Sequence, residues 1–239
     1  MVKYDGINSD AFLLLGENRL HNSKAFYEEH KEEIKRNVLL PMHQIAEIFG
    51  NELIKLDEKM NVKPSRMISR IRRDTRFTRD KSLYRENVWI MFMRHKHEYP
   101  FYPCMWFEIQ PGVYSYGDGH FESSPNFMEF FRKSITQKPE EFSAAVRSAE
   151  KAGAKLSEIR YKREKKANIP EDLKKYYNTK KFYLIKYSNK IENLEDERII
   201  NELKKAYREF SPLYSFLKSV SDEYTTQNRT DTRKYSNEL

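Results

Sequence analysis

The chain has a single cysteine, Cys104, and only seven glycines among its 239 residues. One cysteine excludes a disulfide within the chain and any Cys-rich zinc site, and it suits a reducing compartment. The scarcity of glycine argues against a Gly-rich phosphate cradle. Neither GxGxxG nor the phosphate loop ending in GK(S/T) occurs, and HExxH is missing as well. No cofactor is therefore expected. Long apolar runs are also absent. AFLLL (11–15) is too short for the core of a signal peptide, and VWIMFM (88–93) falls far below the length that spans a bilayer. The reading is a soluble, cytoplasmic protein with no membrane partner. There is no long Pro, Gly or Ser linker and no internal repeat. One domain over 1–224 is expected, followed by a loose tail over 225–239, TTQNRTDTRKYSNEL, which has no apolar pattern.

Aromatic residues and cations are plentiful. Fifteen Phe, sixteen Tyr and two Trp supply enough apolar area for a sizeable core, although charged residues make up 33% of the chain. The net charge of +8 is concentrated. Lys63 to Arg85 holds nine Lys or Arg against two Asp, so the rest of the chain, with 35 basic and 34 acidic residues, is nearly neutral. Nucleic-acid binders usually spread their cations along a surface that tracks many phosphates. A cluster this local in sequence suits a compact anion equally well.

The pattern of elements predicts an α+β fold. Asn22 or Ser23 can cap a helix through FYEEHKEEIKRNV. Pro41 is expected to open a second, with Met42, Ile45, Ala46, Phe49, Leu53 and Leu56 on one stripe. The middle reads as sheet. SRMISRIR (65–72) is a candidate strand, and NVWIMFM (87–93), apolar on both faces, reads as a central strand buried on both sides. CMWFEIQ and VYSYG flank Pro111-Gly112, a plausible hairpin turn, and short links favour an antiparallel meander. Gly117-Asp118-Gly119-His120 reads as a bend closing that hairpin. Ser124-Pro125 and Pro139 start helices. KFYLIKY (181–187) is strand-like, and the last helix runs from about Leu194, with Pro212 expected to kink or split it. The N- and C-terminal helices would pack around the central sheet.

The basic segment RIRRDTRFTRDKSLYR (70–85) carries the candidate site. Arg70, at the end of the expected strand, and Arg73, Arg76, Lys81 and Tyr84 in and beside the following loop can converge on one small anion. Arginine offers a planar fork for phosphate or carboxylate, lysine a point charge, tyrosine a neutral donor. Phe77 would anchor the loop in the core. Asp74 can orient an arginine, hold a metal beside the anion or act as a base. Surrounding cations lower its pKa and work against the last role, so orientation is favoured. Arg79 and Arg85 read as solvated, with Asp80 neutralising one of them. An enzyme built on this segment would use it to stabilise developing negative charge, but nothing in the pattern selects a reaction. The expected partner is a small phosphate- or carboxylate-bearing ligand. The alternative is nucleic acid, with the same arginines on phosphates and aromatic rings on bases. A structural Arg-Asp network is the third reading.

Arg70-x-x-Arg73-Asp74-x-Arg76-Phe77-x-x-x-Lys81-x-x-Tyr84 resembles the signature of an uncharacterised family, the domain of unknown function DUF2461. The resemblance extends over most of the chain, including the Asn22–Tyr27 segment and the helix carrying Arg132. It implies that the basic segment defines the family, and it implies no reaction. Other constellations are weaker. His95 and His97, with His120, Glu108 or Asp118, could form a metal site, but Arg94 and Lys96 would repel a cation, and no metal is expected. Cys104 lies in an apolar strand pattern and reads as a buried small residue. YKREKK (161–166) reads as a solvated turn.

Overall fold

A computed structural model describes residues 2–228. Helix α1 (Ser9–His21) ends at Asn22, which takes the left-handed conformation with φ 48°. The adjacent Ser23 then caps α2 (Lys24–Ile34) by accepting from the Phe26 amide at 3.2 Å. Two residues thus end one helix and start the next. Pro41 does not open a separate helix, as its sequence position suggested. A π-turn at Lys35–Leu39 carries α2 directly into α3 (Leu40–Leu53). The proline falls in the first turn after it, where its missing N–H is tolerated. The expected stripe of Met42, Ile45, Ala46, Phe49 and Leu53 is buried.

The segment 65–72 is not a strand. Pro64 starts a single helical turn, α4 (Pro64–Met67), as proline does at a first helical position. Beyond it the chain is extended but meets its neighbours only at isolated bridges, Ile68 to Ile90 and Arg72 to Tyr84. The extended backbone still sends alternate side chains to opposite sides: Met67 and Ile71 are buried, Arg70 and Arg72 exposed.

The sheet is antiparallel throughout, in the order β1-β2-β3-β5-β4. β1 is Val88–Phe92, β2 Cys104–Gln110, β3 Val113–His120, β4 Lys155–Leu156 and β5 Phe182–Ser188. The first three form the expected meander, with Pro111-Gly112 as a two-residue turn and Gly112 at φ 77°. β1 lies at the edge of the sheet, not at its centre. Gly117 to His120 lies inside β3, not in a bend.

α5 (Pro125–Gln137), α6 (Pro139–Lys151) and α8 (Glu197–Gln227) pack on one face of the sheet together with α3, while the short α7 (Lys174–Tyr177) precedes β5. Ser124 caps α5 at 3.1 Å, as its place before Pro125 predicts. The face is identified by its contacts: Phe182 meets Phe131 and Phe142, Phe92 meets Phe49, and Tyr114 and Tyr116 both donate to Glu202 at 2.8 Å. Their burial forms one apolar cluster reaching from Tyr4 to Tyr224. Helix α8 runs through Pro212 without a break. It also takes in Thr225 to Gln227; the rest of the expected tail lies outside the described residues, apart from Asn228. No helix among the described residues is long and apolar enough to cross a membrane.

Candidate functional site

Strand alternation decides what the other sheet face presents. With Val88, Ile90 and Phe92 turned to the core, Trp89 and Met91 must point away from it. The register then sets Trp89 opposite Glu108, Met91 opposite Trp106, and Trp106 opposite Gly117. Glycine is required at that last position. A Cβ on Gly117 would stand 2.2 Å from the Leu184 carbonyl oxygen and 2.4 Å from the Trp106 ring. Its absence lets the indole lie flat across β3. Phe121 meets Trp106 edge-on at 5.1 Å and stacks on Tyr183 at 4.6 Å. Trp89, Met91, Tyr99, Trp106, Glu108 and Phe121 line a half-open cavity of about 260 Å³. Both tryptophans of the chain line it.

The basic segment folds back beside this cavity as an irregular hairpin. The Arg73 amide donates to Leu83 and the Arg85 amide to Ile71, while Ser69 is tied to Trp89 in both directions. The α1–α2 corner clamps its tip: Asn22 accepts from the Leu83 amide at 2.6 Å, and Arg19 reaches Asp80 at 2.9 Å.

Within the hairpin the expected site residues separate. Arg73 pairs with Asp80, which Arg19 shares. Arg76 is held by Asp74 in a two-point pair, Nε to Oδ1 at 3.0 Å and Nη2 to Oδ2 at 2.7 Å. Lys81 donates to the Thr75 carbonyl at 2.8 Å. Tyr84 is buried and stacks on Tyr27 at 4.9 Å, and burial raises its pKa. Arg70 is exposed and makes no side-chain hydrogen bond or ion pair among the described residues. Phe77 does not anchor the loop: it is 92% exposed, with the Arg76 guanidinium 5.5 Å from its ring. Hydrogen bonds from Arg76 hold the Asp74 carboxyl well below the usual carboxylate range, and those from Ser82, then Arg73, do the same for Asp80. Carboxylates held ionised in this way are poor proton acceptors near neutral pH.

The residue the sequence reading passed over is Arg85. Its guanidinium lies over the Trp89 ring at 4.6 Å, and its Nε is buried without a hydrogen-bond partner. No carboxylate pairs with it among the described residues. Burial lowers its pKa, and the nearby Arg73 and Arg70 charges lower it further. An arginine remains protonated through such a shift. Arg85 therefore brings a positive charge beside Trp89, a residue of the cavity wall, with Arg70 and the Asp80-paired Arg73 close enough to act on it. The spacing Arg85-x-x-x-Trp89 was the available signal, concealed because Arg85 closes a run of cations that looks uniformly solvated.

The remaining candidates disperse. Glu108 lies on the cavity face, whereas Asp118 and His120 lie on the core face of the same sheet. His95 and His97, with ring centroids 6.0 Å apart, sit in the turn after β1. Among the described residues no group of three or more His, Cys, Asp or Glu is arranged to hold a metal. Cys104 is fully buried, and burial pushes its thiol pKa up, against a role as nucleophile. The 161–166 stretch is largely exposed, with Lys165 lying 3.7 Å from Glu129.

No curated protein and no solved structure matches the chain. A family model matches residues 10–216, which include both the hairpin and the cavity: the chain belongs to the conserved hypothetical protein family DUF2461.

Proposed function

We propose that the protein binds a compact ligand with a flat apolar body and a phosphate or carboxylate group. The body enters the cavity between Trp89, Trp106 and Phe121, and the anion meets Arg85 with Arg70 and Arg73. The observation that carries this reading is Arg85: a half-buried guanidinium on an indole face, unpaired, with a buried Nε awaiting an acceptor. A buried donor left unsatisfied is costly, and an anion at the rim would satisfy it with a charge-assisted bond. Arg73, Arg70 and Arg85 come together in this reading. Arg76, Lys81 and Tyr84 lie outside it, and Asp74 orients Arg76.

A ligand at about a hundred times its dissociation constant adds roughly 2.7 kcal/mol, which shifts the unfolding midpoint of a chain this size by about 5–10 °C. Thermal unfolding with phosphate, sulfate, sugar phosphates, nucleotides and short oligonucleotides, at low and moderate salt, is the test. One class of small anion should stabilise the wild type and Arg76→Ala but not Arg85→Ala. A shift retained in full by Arg85→Ala would remove the basis of the reading.

A second reading rests on Phe77. An almost fully exposed ring on a loop bearing Arg76, Arg79 and Lys81 is the combination that stacks on a base while holding phosphates. Under that reading oligonucleotides alone bind, affinity falls steeply with salt, and Phe77→Ala abolishes it.

A further inference from the structure

The cavity lining is mainly aromatic and carries one carboxylate, Glu108, which has no cationic partner among the described residues. It faces Trp89 across one strand pairing and Ser115 across the other. Its Oε1 accepts from Asn87 Nδ2 at 2.6 Å; no cation pairs with the carboxylate among the described residues, and its Oε2 takes no hydrogen bond there. The Ser115 hydroxyl beside it is buried and likewise without a partner. Half-buried beside an aromatic wall, the carboxylate keeps an acceptor oxygen to which a ligand in the cavity can donate. Trp89 thus neighbours two poles, the Glu108 acceptor that it pairs with across the strands and the Arg85 guanidinium that lies over its ring.

A ligand that satisfies both poles carries N–H donors on one edge of a flat ring and an anion at the other end. Volume narrows the choice. A cavity of about 260 Å³ is smaller than the roughly 300–1,000 Å³ of pockets that enclose drug-sized ligands. It has room for a ring system and leaves the charged part outside, where Arg85 lies. We infer that the ligand is a purine nucleotide of the guanine type. Its base presents adjacent ring N–H and amino donors to Glu108, stacks on the aromatic wall, and leaves its phosphate at Arg85 and Arg70. Adenine presents a ring acceptor where guanine presents the ring N–H, so the lone pairs of Glu108 would repel it. This inference rests on the anion-site reading above and adds the identity of the base.

Because both tryptophans line the cavity, intrinsic tryptophan fluorescence reports on it directly. Titration of the full-length protein with GMP, IMP, AMP, guanosine and ribose 5-phosphate tests the inference. GMP should bind at least roughly tenfold more tightly than AMP, the discrimination expected of one hydrogen bond to a charged group. IMP, lacking the amino group, should lie between them, and guanosine, lacking the phosphate, should bind more weakly than GMP. Glu108→Gln should bring GMP and AMP close together while leaving the contribution of the phosphate intact. Equal binding of GMP and AMP, both lost in Arg85→Ala, would overturn the assignment of the base and leave the anion site standing. Binding by none of the five would overturn the nucleotide assignment, and the anion screen would then show separately whether the site itself survives. The wild-type series decides the question even if Glu108→Gln fails to fold.

Discussion

Arg94→Ala is expected to lower the free energy of unfolding by about 3–5 kcal/mol, the cost of leaving a buried charge without its partner. Arg94 follows β1, is 2% exposed, and donates from Nε to Asp57 Oδ2 at 2.7 Å. Asp57, equally buried, lies in the turn after α3. The Tyr214 hydroxyl on α8 donates to the same Asp57 oxygen at 3.0 Å, and the guanidinium lies 3.6 Å from the centre of the Tyr102 ring. One pair thus joins α3, the end of β1 and α8. Without Arg94 the Asp57 carboxylate keeps only neutral donors. Replacing both partners, as Asp57→Leu with Arg94→Met, should recover much of the loss, because no charge is then left buried. Lys218→Ala, which breaks the more exposed pair with Asp222 at 2.9 Å, should cost less than about 1 kcal/mol. Urea unfolding of the four proteins measures all of this. An Arg94→Ala variant as mild as Lys218→Ala would show that the buried pair does not hold these elements together.

Asp118→Asn and His120→Leu are expected to change the pH dependence of stability in opposite directions. Both native residues are 0% exposed on the core face of β3; among the described residues the His120 ring has no hydrogen-bond partner, and Asp118 has only the neighbouring Gly119 amide to offset its burial. Burial lowers the His120 pKa to about 3 and raises that of Asp118 well above the ordinary value. An unfolded histidine takes up a proton below about pH 6.5 while the folded one refuses it, so His120 costs stability as pH falls from there towards about 3. Asp118 acts the other way. Its folded carboxyl keeps a proton that the unfolded chain releases above about pH 3.9, so its contribution weakens as pH rises from that point. Each slope is about 1.4 kcal/mol per pH unit while its group is differentially protonated, and between about pH 4 and 6 the two oppose each other. Relative to the wild type, removing Asp118 should expose the loss towards acid, and removing His120 the loss towards neutral pH. Changes in side-chain volume displace each curve without tilting it, so the slopes from urea unfolding at several pH values carry the result. Parallel curves for all three proteins would contradict it.

Helix boundaries were legible wherever a side chain or ring fixes them locally, as at Ser23, Ser124-Pro125 and Pro139. The Pro111-Gly112 hairpin was legible for the same reason. The place of β1 in the sheet was not. Trp89 and Met91 make its second face apolar, which reads as burial between two layers, whereas that face lines a cavity. Gly117 and Gly119 looked like a bend because glycine marks turns more often than strands. Here each removes a Cβ that would strike β5, and Gly117 also makes room for the Trp106 ring. The basic segment was legible as a cluster of charge, but its pairing was not. Which arginine remains unpaired depends on Asp74 taking Arg76 and on Asp80 taking Arg73 together with Arg19, which α1 contributes.

On the reading proposed above, Arg85 supplies positive charge beside the Trp89 wall of the cavity. Quenching of tryptophan fluorescence by iodide and by caesium at equal ionic strength tests it most directly, since both tryptophans lie in the cavity wall. Iodide should quench the wild type more strongly than caesium, and the difference should shrink in Arg85→Ala while persisting in Arg76→Ala. Caesium quenching equal to or above that of iodide, or an iodide advantage unchanged by Arg85→Ala, would contradict the account.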